Sequence, residues 1–80
     1  MDEITTEEIA QHYSAMGDSV TLINDIIAGD AMAEDDAADK QGCVDRNVEH
    51  LEIMVAKDFW DSEDMTAANA AITAGKAYAA

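Results

Sequence analysis

TTEEIAQHYSAMGDSVTLINDIIAG, residues 5–29, decides the fold. Thr5 followed by Glu8 has the form of a capping box, in which each side chain satisfies a free backbone N–H of the other. Ile4 before the cap and Ile9 after it stand at the positions of a hydrophobic staple. Glu7 and Glu8 suit the positive end of the helix dipole. Apolar residues then recur at Ile9, Tyr13, Met16, Val20, Ile23 and Ile27. This alternation of fours and threes is the a/d seam of a coiled-coil-like helix. Gly29 supplies a stop, so the spacing predicts a helix over 6–28. On the wheel, Glu7, Asp18 and Asp25 fall opposite the seam, and Leu22 and Ile26 form a second apolar strip to one side.

Downstream, Asp30 to Asp39 holds acids among alanines and one methionine. It reads as a loop or as the start of a second helix with Asp30 as candidate N-cap. Val44, Val48, Leu51, Val55 and Phe59 then repeat the seam, with Ala37 and Gln41 extending it backwards. A helix over about 33–58 is expected, weakened at Gly42. Asp35, Asp39, Asp45, Glu49 and Glu52 are expected to line its other side, while Ile53 and Met54 fall outside the seam. Asp61-Ser62-Glu63-Asp64 is a second start signature, predicting a third helix over about 63–77 with Met65, Ala68, Ile72 and Gly75 on one face. This helix is short and rich in alanine, and marginal in water unless docked.

The expected architecture is all-α: an antiparallel hairpin (6–28 and 33–58) with a short third helix, one domain over residues 1–80 with an acidic connection or helix start at 30–42. Two long helices joined by a short connection pair antiparallel. Each seam is narrow, and the third helix brings few large residues to cover the second strips. Leu22, Ile26, Ile53, Met54, Phe59 and Trp60 are therefore interface candidates, and a homo-oligomer is expected.

Size and charge narrow the function. At 80 residues the core is thin, and the single cysteine, Cys43, allows no disulfide within the chain. Eighteen acidic residues against Lys40, Arg46, Lys57 and Lys76 give a formal net charge of −14. That argues against direct nucleic-acid binding, which needs cationic side chains to displace counterions, and against an anionic membrane surface. Basic partners fit instead: a nucleic-acid-binding surface on a protein, a basic patch on an assembly, or cations. No stretch approaches the ~20 apolar residues of a membrane span. Met1-Asp2-Glu3 is acidic where a signal peptide is basic and then apolar. A virion or cytoplasmic location, not a secreted or membrane one, is expected.

No arrangement for chemistry emerges. Glu8 and His12 share a helical turn, and Asp45, Glu49 and His50 form a similar group. A di-metal bundle, however, needs a Glu-x-x-His pair, and Asn47 stands where that glutamate belongs. Glu34-Asp35-Asp36 is contiguous and Gly42 misplaced for a calcium loop. Cys43 reads as a small packed residue. With no nucleophile elbow or phosphate loop, no catalytic, cofactor or metal site is expected, and the chain reads as a non-enzyme.

Asp45-Arg46-Asn47-Val48-Glu49-His50-Leu51-Glu52-Ile53-Met54-Val55-Ala56-Lys57-Asp58-Phe59-Trp60, then Glu63-Asp64-Met65-Thr66 and Ala71-Ile72-Thr73-Ala74-Gly75-Lys76-Ala77-Tyr78, resembles small acidic helical proteins of tailed bacteriophages. The resemblance covers about residues 44–78 and brings no assigned activity. It implies a phage product. Two functions then compete. One is a self-associating virion or assembly component that docks on a larger phage protein. The other is an acidic nucleic-acid mimic that inhibits a host DNA-binding or defence complex.

Overall fold

A computed structural model describes residues 4–60 and 64–79. They form three helices, α1 (Thr6–Ala28), α2 (Ala37–Val55) and α3 (Thr66–Ala77), each packed on the other two. The protein is a small three-helix bundle, as the periodicity predicts.

The capping box forms as read: Thr5 Oγ1 accepts from the Glu8 N–H at 3.1 Å, and Glu8 Oε1 accepts from the Thr5 N–H at 3.3 Å. At the far end Gly29 turns left-handed, with φ 86°. Its N–H reaches Ile26 O at 3.1 Å and the Asp30 N–H reaches Asp25 O at 2.8 Å, the Schellman pair that satisfies the last carbonyls of a helix.

The start of α2 corrects the sequence reading. Asp30 is not its N-cap: its N–H closes α1, and no helix follows it directly. Met32 then takes φ 55°, a left-handed conformation that no α-helix of L-residues propagates, and the Asp35 N–H bonds back to Met32 O at 3.0 Å. Asp36 becomes the N-cap, and α2 begins at Ala37, four residues later than the expected 33. It also ends early, at Val55 and not 58. The Met54 carbonyl accepts from the Lys57 N–H at 3.0 Å and the Trp60 indole N–H at 2.7 Å, which takes it out of the helical ladder.

Asp61, Ser62 and Glu63, read as the cap and first turn of the third helix, lie outside the described residues. In the structure α3 begins at Thr66, whose N–H donates to Asp64 Oδ1 at 2.9 Å.

The core is built from Met16, Ile23 and Ile26 of α1, Val44, Val48, Leu51 and Met54 of α2, and Ala68 and Ala71 of α3. The buried stripe of α1 has therefore turned away from the predicted seam. Ile26 is buried, and Ile27, a predicted seam residue, is 40 % exposed. A seam along one partner suits a two-stranded coil. A helix that touches two neighbours needs a stripe turned toward the angle between them.

Small residues let α3 come close. A β-carbon at Gly75 would collide with Val48 Cγ2, with Val44 Cγ1 and Ile23 Cγ2 behind it at 3.4 and 3.6 Å. Glycine is required there by proximity, since the backbone of α3 rests on the side chains of the hairpin.

Candidate functional site

The six apolar interface candidates differ in burial. Ile26 and Met54, expected to be left uncovered by a two-helix hairpin, are 3 % and 7 % exposed and belong to the core. This corrects their reading as interface residues: the closely docked α3 completes a core that the hairpin alone leaves open. Leu22 is half-buried against that core. Ile53 alone is well exposed, at 53 %.

Phe59 and Trp60 are half-buried and seal one end of the bundle. Their rings lie 4.6 Å apart, Phe59 stacks on His12 at 6.1 Å, and Trp60 tilts against Tyr13 at 6.1 Å. Tyr13 also donates its hydroxyl to Asp64 O at 2.8 Å. These contacts fasten the connection between α2 and α3 onto α1, and they give Trp60 a place in the packing. The sequence signal for this cluster was weak, because His12 and Tyr13 lie far from Phe59 and Trp60 along the chain.

The acidic candidates do not form a single face. Asp45, Glu49 and Glu52 follow one another at four and three residues and share a stripe of α2. Asp39 sits in the first turn, about 120° away around the helix at ~100° per residue. Asp35 precedes the helix altogether, in the connection. All five are exposed. Asp45 accepts from Gln41 Nε2 at 2.9 Å, and Glu52 pairs with Lys76 of α3 at 2.8 Å. That is the one ion pair among the described residues. Most carboxylates among the described residues therefore face solvent without an internal cation.

Glu8 is occupied by its cap and His12 by Phe59. His50 points inward, with Nδ1 3.0 Å from the hydroxyl of Ser19, a buried polar residue of α1. Cys43 is free and half-buried, and Asn47 donates to its carbonyl at 2.8 Å. Among the described residues no three histidine, cysteine or carboxylate side chains converge as metal ligands, and no helix is long and apolar enough to cross a membrane.

A feature the sequence reading missed is a half-open depression of about 100 Å³ between α1 and α3. Tyr13, Met16, Gly17 and Val20 form one wall, and Ala67 and Ala68 the other, with Asp64 at the rim. Its lining is mainly apolar. The isolated glycine inside a helical pattern was its available signal.

No protein-family model, curated protein or solved structure matches the chain.

Proposed function

We propose that this chain is a non-enzymatic interaction module, of phage origin, that docks on a larger protein through a basic surface of that partner. The observation that carries the reading is the uncompensated charge. The chain carries fourteen net negative charges, and one ion pair forms among the described residues. Such a surface attracts cationic partners from a distance and repels its own copies. The Asp45–Glu49–Glu52 stripe places carboxylates at regular rises along a rigid helix, where a basic groove can meet them in register. The phage origin rests on the sequence resemblance over residues 44–78. A virion or assembly component and an inhibitor that occupies a nucleic-acid-binding groove both use this kind of contact.

Capture of the tagged protein from infected host cells at low salt, beside purified virions probed for the same chain, separates these two cases. Fixed stoichiometry in virions identifies an assembly component. Absence from virions, with capture of a host nucleic-acid-binding complex that DNA or salt displaces, identifies an inhibitor. Binding that ignores salt and survives Asp45→Asn, Glu49→Gln and Glu52→Gln together refutes the charge-based reading.

Self-association keeps one observation in its favour, the exposure of Ile53. The Ser19–His50 contact fixes the antiparallel register, which sets Ile53 level with about Met16. Ile27, the other exposed large apolar residue, then lies eleven residues further along α1, ~16 Å away at ~1.5 Å per residue. The two do not merge into one patch. Sedimentation velocity at micromolar and near-millimolar concentration, with Ile53→Asp as control, tests this reading.

A further inference from the structure

Gly17 lacks the structural reason that Gly29 and Gly75 have. Gly29 needs its left-handed φ, and Gly75 is pressed against Val48. At Gly17, inside α1, the place of a β-carbon has no atom within 4 Å, neighbouring residues and the helix's own backbone aside. Glycine in a helix interior is unfavourable relative to alanine, and here no packing demand offsets it. The missing side chain leaves one edge of the depression between α1 and α3 uncovered. Local rules broken without a packing gain concentrate at functional positions.

The depression is also held open. Met16, 2 % exposed, is the buried part of the α1 wall. At the rim, Asp64 is fixed twice, its carboxylate by the Thr66 N–H at 2.9 Å and its carbonyl by the Tyr13 hydroxyl at 2.8 Å. At about 100 Å³ the space is well under the ~300 Å³ at which small-molecule pockets begin, and its scale is that of one side chain. Its lining is apolar, its rim carries a carboxylate, and the chain around it bears −14. Charge complementarity therefore selects a cationic segment, and the lining selects an aliphatic residue within it.

We infer that the α1–α3 slot beside Gly17 seats one aliphatic anchor side chain from a basic segment of the partner protein. This rests on the reading of the chain as a binder of basic surfaces and adds the anchor to it. The flanking cations contact exposed carboxylates, and the anchor supplies register that charge alone does not.

Two capped pentapeptides test it, each with four lysines, one with a central leucine and one with a central alanine. Both are titrated into isotopically labelled protein at low salt and followed by amide chemical shifts. Each methylene removed from water is worth about fourfold in affinity, so a leucine that buries one or two more than alanine binds roughly four- to fifteenfold tighter. Its shifts should centre on Gly17, Val20, Ala67 and Ala68. Gly17→Leu fills the slot from α1 and should make the two peptides bind alike. Ala67→Leu fills it from the opposite wall and serves if the first variant disturbs the fold. Equal binding of both peptides to the unmodified protein, with shifts spread over the acidic surface, overturns the anchor slot and leaves the basic-partner reading standing. No binding of either peptide at low salt overturns both.

Discussion

Replacing Gly75 by alanine isolates the contact that closes the bundle. In a solvent-exposed helix the change adds about 1 kcal/mol of stability through propensity. Here the new methyl would meet Val48 Cγ2, and Val48 cannot turn away. A valine in a helix holds one χ1 rotamer, and Val44 and Ile23, both 0 % exposed, crowd the same β-carbon at 3.4 and 3.6 Å. The backbone of α3 must lift instead, at the cost of overpacking, about 1–3 kcal/mol. Close confinement argues for the upper part of that range, so the expected net loss is about 2 kcal/mol after the propensity gain. Urea unfolding followed by the fluorescence of Trp60, the single tryptophan, reads this directly. With a slope of about 1 kcal/mol per molar for a small domain, the midpoint should fall by roughly 2 M. Val48→Ala removes the opposing methyl, so in that background Gly75→Ala should cost nothing or stabilise. The difference between the two backgrounds is the coupling energy. A higher midpoint for Gly75→Ala alone would refute the close docking of α3, and with it the burial of Ile26 and Met54 by that helix.

Gly17 gives the opposite sign. Gly17→Ala meets open space and should stabilise the fold by about 1 kcal/mol, visible as a raised urea midpoint. Salt should stabilise as well: with a net charge of −14, raising ionic strength shortens the screening length from ~30 Å at 0.01 M to ~8 Å at 0.15 M, so the melting temperature should climb with sodium chloride. Asp64 is held below its ordinary value of 3.8 by hydrogen bonding from Thr66, side chain first and backbone N–H second. A lowered folded value means that its contribution is complete above 3.8 and is lost as the pH falls through the folded value. The Thr66 amide resonance should therefore titrate below pH 3.8, and Asp64→Asn should abolish that step.

Helix existence was legible wherever a local signal and the apolar period agreed. At α1 the cap, the period and the Gly29 stop all fall within the segment, and its predicted bounds match those observed. At α2 the period is equally clear, but its ends are set by groups outside the pattern. The left-handed turn at Met32 delays its start, and the indole of Trp60 captures the carbonyl of Met54 and stops it. Neither event leaves a trace in periodicity. The misassigned interface has a different cause. Counting large residues on α3 suggested that it could cover little, yet coverage depends on approach as well as bulk. Ala68, Ala71 and Gly75 let a slender helix lie directly on Val44 and Val48, so small residues closed what large ones were expected to close. The slot at Gly17 is the converse. Only the neighbouring helix shows that a missing side chain there leaves a space and not merely a flexible point.

Two features that lower the stability of this chain, its self-repelling charge and its thin core, are both relieved by a cationic partner with an aliphatic anchor. Any ligand that binds the folded chain and not the unfolded one stabilises it by mass action, by about 2.7 kcal/mol at a hundredfold excess over Kd. Charge alone does not meet that condition, because the unfolded chain carries the same −14 and also attracts polycations. The slot exists only when α1 and α3 are packed together. The alanine pentapeptide should therefore raise the melting temperature only as far as charge neutralisation does, and the leucine pentapeptide should raise it further. Gly17→Leu should remove that further rise while itself melting no lower than the parent protein. Equal shifts from both peptides would place the recognition in charge alone and leave the glycine in α1 without a function.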